Sequence, residues 1–104
     1  FEAWGAQVKS VQADLSTFEG VEKLYAEIKA AGRPIDAIAI NAGVGVHGDF
    51  SQSDLDDELK MINLNVVSTV HLTKRILKDL IAQGQGRILY TASVASIMPA
   101  PFMA

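Results

Sequence analysis

The chain has 104 residues, enough for one small domain, and its 49% hydrophobic and 20% charged residues make it a globular rather than a disordered composition. A net charge of −3 offers no basic footprint for nucleic acid or an anionic membrane surface, and neither is an expected partner. With no cysteine there is no disulfide, thiolate metal site or cysteine nucleophile, which fits a reducing compartment and makes the cytoplasm the expected location; no apolar run reaches the ~18 residues of a membrane span.

The opening stretch Phe1-Glu2-Ala3-Trp4-Gly5 has neither the basic region nor the apolar core of a signal peptide. It lacks an initiator methionine and reads as the last turn of a helix whose beginning lies upstream, stopped by Gly5. Val8 to Ala13 mixes apolar and polar residues and predicts a strand that ends at Asp14-Leu15. Ser16 or Thr17 then makes an N-cap, with Glu19 as the first-turn acid. Val21, Leu24, Tyr25 and Ile28 recur at helical spacing, so a helix is predicted from about Phe18 to Ala31, closed by Gly32 and Pro34.

The stretch that follows organises the rest. Ile35 to Ile40 is an apolar run broken only by Asp36, bounded by Pro34 and by glycines. It is too short for a good helix and predicts a strand buried on both faces of a parallel sheet. The run stops at Asn41-Ala42-Gly43, a polar residue followed by small ones. In open α/β sheets ligands bind at the carboxyl ends of the strands, and a turn without bulk lets backbone approach a ligand there. An ordinary turn after a strand is the plain alternative.

Gly43-Val44-Gly45-Val46-His47-Gly48 matches the spacing of a dinucleotide fingerprint. A genuine fingerprint opens a helix within the motif. Here the helix cap comes only at Ser53, and the region where an acid-tipped second strand should end is helix, so the match is a decoy. Ser53-Asp54-Leu55-Asp56-Asp57-Glu58 combines a cap with stacked acids. From there a single helix is predicted to Gln83, with Leu55, Leu59, Ile62, Val66, Val70, Thr73, Leu77 and Ile81 on its buried stripe. Lys74, Arg75 and Lys78 gather toward its far end, and Gly84 and Gly86 terminate it. Arg87 to Thr91 predicts another buried strand, leading into Ala92-Ser93-Val94-Ala95-Ser96 before Pro99 and Pro101. His47 and His71 have no partner at ligand spacing, so no metal site is expected.

Strand, helix, strand, long helix, strand is the order of an α/β domain with a parallel sheet. Four matches then give the chain a family likeness. Asp14-Leu15 ends a strand, Asn41-Ala42-Gly43 follows a buried strand, Leu64-Asn65-Val66-Val67-Ser68 lies inside the long helix, and Gly86 to Ser93 carries a strand into a serine. In that order and on those elements they resemble the middle of the short-chain dehydrogenase/reductase family, over essentially the whole chain. Two departures are Ile40 where the family has a first asparagine and Ser68 where it has glycine. The family's glycine-rich turn would lie before Phe1 and its Tyr-x-x-x-Lys pair just beyond Ala104. Residues 1–104 are therefore expected to be the central part of one Rossmann-like domain, a doubly wound parallel sheet represented by its third to fifth strands.

The resemblance implies an oxidoreductase that transfers a hydride between NAD or NADP and a carbonyl or alcohol substrate. It makes Asp14 an acceptor for the adenine amino group beside Leu15, and sets Asn41, Ala42 and Gly43 against the ribose and nicotinamide half of the cofactor. Asn65 would hold a water of a proton relay at a helix kink, with Asn63 as its neighbouring rival. Ser93 would orient the substrate oxygen, with Thr91 and Ser96 as rivals. No G-x-S-x-G elbow surrounds Ser93, which argues against a hydrolase nucleophile. The assembly expected is a homo-oligomer joined through the long helix 54–83. A catalytically inactive dinucleotide-binding or regulatory protein on the same fold, or a flavodoxin-like binding domain, are the competing readings, because fold alone does not set function.

Overall fold

The computed structural model describes residues 2–93. A 3-10 turn, Glu2–Trp4, ends at Gly5 in the left-handed region (φ 82). Helix α1 (Phe18–Ala30) is opened by Thr17, whose hydroxyl accepts the Gly20 N–H at 3.0 Å and so satisfies a donor that a helix start leaves without an intrahelical partner. Of the two candidate caps only Thr17 serves; the Ser16 hydroxyl donates back to the Asp14 carboxylate at 2.6 Å.

Strands β1 (Ala37–Ile40) and β2 (Arg87–Tyr90) run parallel, with Ala37 opposite Arg87 and Ile40 opposite Tyr90. A parallel pair cannot close through a hairpin, so the long helical rod between them is the crossover. The rod consists of α2 (Leu55–Ile62), a π-helical turn (Asn63–Val67) and α3 (Ser68–Gln83), where periodicity predicted a single α-helix and the family resemblance set a kink at Asn65. Its N-cap is Asp54, whose carboxylate accepts the Asp56 N–H at 2.8 Å, and not Ser53, whose hydroxyl is taken by Glu58 and the Phe50 carbonyl. Gly84, left-handed at φ 81, ends the rod as its sequence indicates.

Three expectations about packing are corrected. Val8 to Ala13 joins no sheet: among the described residues the sheet has two strands, β1 and β2. The segment lies along α1 instead, tied by the Lys9–Glu27 ion pair at 2.8 Å and by Lys23 donating to the Gln12 carbonyl at 2.7 Å. Burial still alternates from Val11 to Asp14, as extended backbone dictates. Strand β1 is not buried on both faces. Ile38 and Ile40 turn inward with Ile88 of β2, while Ala37, Ala39 and Leu89 stay exposed.

The third correction concerns the stripe. Leu55, Leu59, Ile62, Val66, Val70, Leu77 and Ile81 are exposed, Ile81 by 70%. The face that packs is Ser68, Leu72, Ile76 and Leu80, which meets Val21 of α1 and Ile40 of β1. Ile76 is 0% exposed and Val21 1%. Helix α3 is apolar on two sides, since Val70 and Leu72 stand about 200° apart at 3.6 residues per turn. Periodicity alone found one side, and the docking of α1 chose the other.

Polar pairs flank the α1–α3 contact. Glu22 Oε1 accepts from Arg75 Nε at 2.8 Å and lies 2.7 Å from His71 Nε2, while the Phe18 ring stacks on His71 with centroids 4.6 Å apart. These bonds hold the Glu22 carboxyl below its usual range, the His71 contact contributing most. One helix turn on, the Tyr25 hydroxyl donates to Asp79 at 2.8 Å, with Lys29 at 3.3 Å from the same carboxylate. That hydrogen bond lowers the Asp79 carboxyl and raises the Tyr25 phenol. At the base of the sheet Gln83 Nε2 donates to Ile35 O at 2.7 Å and to Gln85 O at 3.0 Å, joining the end of the rod to the entry of β1.

Candidate functional site

Both strands exit at the same end. Ile40 is the last residue of β1 and Tyr90 of β2, and the Thr91 N–H donates to Ile40 O at 3.1 Å, so the two exit segments leave side by side. A cleft of about 450 Å³ opens there. One wall is Asn41, Ala42, Gly43, Val44 and Gly45; another is Tyr90 to Ser93; the π turn and the start of α3 close it with Asn65 and Thr69. Asn41, Ala42, Gly43, Asn65 and Ser93 are thus brought to one cleft from three separate elements. The rival Thr91 lines it too, whereas Ser96 lies outside the described residues.

Asn65 is fixed by the loop after β1. Its Oδ1 accepts the Val44 N–H at 2.9 Å and its Nδ2 donates to Val44 O at 2.7 Å. The pair uses one of the amide's two N–H groups and one of the carbonyl's two lone pairs. A Cβ on Gly43 would stand 3.3 Å from Asn65 Oδ1, tighter than an ordinary contact, so the smallness of residue 43 lets loop and asparagine meet. Two hydroxyls follow Asn65 along the helix at intervals of four. Thr69 Oγ1 donates to Asn65 O at 3.1 Å, and Thr73 Oγ1 lies 2.8 Å from the Tyr90 hydroxyl.

A second cavity, about 330 Å³, shares Ile40, Asn41 and Ala42 with the cleft and is otherwise lined by apolar groups that include Leu15 and Val21, together with Ser68. Leu15 thus lines the cavity beside the cleft, while the Asp14 side chain lines neither. Its carboxylate accepts the Ser16 N–H at 3.0 Å and the Ser16 hydroxyl at 2.6 Å, and these two bonds keep the carboxyl below its usual range. Its backbone oxygen accepts from the Thr17 N–H and hydroxyl at 3.2 and 3.0 Å. Gly20 backs this turn: a Cβ there would fall 1.7 Å from Asp14 O.

Val44, Thr69, Tyr90 and Gly20 were missed as contributors. Helical spacing from Asn65 would have found Thr69, and a glycine in the first turn of an otherwise good helix is the mark of Gly20. The other two depend on backbone and cross-strand contacts that no local pattern carries. The loop from Gly43 to Ser53 contains no helix, so the glycine-spaced decoy presents no helix N-terminus to a phosphate.

The family model described as short chain dehydrogenase matches residues 1–104. The chain belongs to that family. As a short chain dehydrogenase it is 32% identical over 91 residues to the uncharacterized oxidoreductase YvaG of Bacillus subtilis, covering 88% of this chain and 33% of that protein. It is 35% identical over 68 residues to human 17-beta-hydroxysteroid dehydrogenase type 1, covering 65% of this chain and 21% of that protein. Among solved structures, a metagenomic short-chain oxidoreductase in complex with NADP superposes with a TM-score of 0.90 at 25% identity, over 99% of this chain and 47% of that one. The fold is that of Rossmann-like proteins of the family, of which the described residues carry a two-stranded parallel part. The chain spans about a third or less of the length of these curated relatives.

Proposed function

We propose that the complete protein transfers a hydride between NAD or NADP and a small carbonyl or alcohol substrate. The cleft at the carboxyl ends of β1 and β2 carries this reading, because it gathers Asn41, Ala42, Gly43, Asn65 and Ser93 where parallel sheets bind dinucleotides. The residues present suit that group. Asn41 to Gly43 offer backbone without bulk, the neighbouring cavity is apolar around Leu15, and the metagenomic relative is named as an NADP complex. Nicotinamide, when bound, supplies or takes the hydride.

In this reading Ser93 donates a hydrogen bond to the substrate oxygen. Asn65, clamped on Val44, has a second N–H and a second lone pair with which to hold a water in the proton path. Asp14, kept ionised by Ser16, accepts from the adenine amino group. A tyrosine with a neighbouring lysine, placed by the resemblance beyond Ala104, is the general acid/base, so residues 1–104 alone are inactive. The exposed apolar row from Leu55 to Ile81 supports a second copy docking through helix 54–83. No helix among the described residues is long and apolar enough to cross a membrane, and the cysteine-free composition supports a cytoplasmic site of action.

The test is Ser93→Ala in the complete protein, with turnover on a carbonyl substrate and cofactor titration measured together. Turnover should fall by about 10²-fold, the scale of removing one donor to a reacting oxygen, with the cofactor Kd unchanged. Damage from Ser96→Ala and none from Ser93→Ala would move the serine. Cofactor binding by the parent with no turnover on any carbonyl or alcohol would favour the inactive binding protein.

A further inference from the structure

We infer that Ser68 is a positioning residue that holds the rod out of α-register and so presents Asn65 to the loop after β1. The starting observation is the slip itself. The Ser68 N–H reaches back to Asn63 O, five residues away, where an α-helix would take it to Leu64 O. Leu64 O therefore lacks the amide it would receive in a regular helix, and a carbonyl left unpaired away from water is costly. The Ser68 hydroxyl donates to that same oxygen.

Ser68 is the one polar residue among the described ones that is buried, at 6% exposure. Its hydroxyl sits in the packed face beside Leu72, and the rod's own carbonyl is the partner that satisfies it there. The next residue repeats the device, since Thr69 Oγ1 donates to Asn65 O at 3.1 Å. Hydroxyls bonded back to the carbonyl four residues earlier bend helices. Here two in succession fall where the register changes.

The consequence falls on Asn65, inside the slipped turn. Restoring α-register would rotate the residues before Ser68 by up to about 100° relative to α3, enough to carry the Asn65 amide away from Val44. Ser68 lines the apolar cavity beside the cleft but not the cleft itself, so it acts on the cleft through Asn65. Glycine at this position, the residue the family resemblance sets there, supplies no such hydroxyl; in this chain the serine supplies an anchor of its own.

The inference bears on turnover only through the role proposed above for Asn65, and the experiment separates the two. In the complete protein, amide exchange of Val44 is measured by NMR for the parent and for Ser68→Ala, Ser68→Gly, Ser68→Thr and Asn65→Ala, beside kcat and KM. Ser68→Ala and Ser68→Gly should speed Val44 exchange about tenfold, the scale of one hydrogen bond, while Ile76 and Leu80 amides keep parent rates. Ser68→Thr, which keeps the hydroxyl, should restore Val44 protection, and kcat should follow the same order with KM unchanged. Parent-like Val44 exchange in both Ser68→Ala and Ser68→Gly overturns the inference. If Val44 responds as stated yet Asn65→Ala leaves kcat unchanged, the inference on Ser68 stands and the relay role of Asn65 falls.

Discussion

Replacing Gly20 by alanine pits two rules against each other. In a helix, alanine is better than glycine by up to about 1 kcal/mol. Gly20, however, sits in the first turn of α1 against the Asp14 turn, where a Cβ would lie 1.7 Å from Asp14 O and 2.5 Å from its carbonyl carbon. Those atoms are backbone, so helix and turn must part. Overpacking of this kind costs about 1–3 kcal/mol. Parting also breaks the two bonds from Thr17 to Asp14 O, about 1 kcal/mol each. Setting the helix gain against these costs leaves Gly20→Ala about 2–4 kcal/mol less stable. Urea unfolding of the complete protein without cofactor, parent beside variant, reads this directly as a lower midpoint at unchanged slope. A variant as stable as the parent, or more so, would refute the reasoning, because propensity would then have outweighed the contact.

Gly43→Val should weaken cofactor binding and also loosen Asn65, since even a Cβ at residue 43 comes within 3.3 Å of Asn65 Oδ1; an equal cofactor Kd by calorimetric titration would remove the role given to Gly43. Because the folded Glu22 carboxyl is depressed below its ordinary value of 4.5, chiefly by His71 and then by Arg75, its contribution is complete above that value and is lost as pH falls through the folded pKa. Glu22→Gln should therefore flatten the acid side of the stability–pH curve, and an unchanged acid limb in thermal melts would contradict the pairing. Residues 1–104 expressed alone should show no dehydrogenase activity, no cooperative melting and a tendency to aggregate, because Leu89 is 65% exposed on the sheet and Val8 to Ala13 pairs with no strand among the described residues. A monomeric, sharply melting 104-residue protein by calorimetry and light scattering would contradict this.

Element types were legible because their signals are local. Thr17 caps the helix that Val21 to Ile28 make amphipathic, Gly84 stops the rod by adopting a left-handed backbone, and the apolar run before Asn41 is a strand. That Asn41 to Gly43, Asn65 and Ser93 belong near one another was an expectation of the family resemblance, and the structure lines one cleft with them. What the sequence left open are matters of which surface meets which. Helix α3 offers two apolar sides, and α1, through Val21 beside Leu72 and Ile76, decided that the row including Val70, Leu77 and Ile81 faces outward. Val8 to Ala13 has strand character, but a strand is defined by a hydrogen-bonded neighbour, and none lies beside it among the described residues. The slip at Asn63–Val67 shows the same division, since helix propensity reads straight through it. By itself the sequence determined α1, the two ends of the rod and the strands β1 and β2, because caps, glycines and periodicity act within a few residues of themselves. Only the tertiary structure decided the buried face of α3, the partners of β1 and the direction of the Asn65 amide, because those depend on contacts between residues twenty to fifty positions apart.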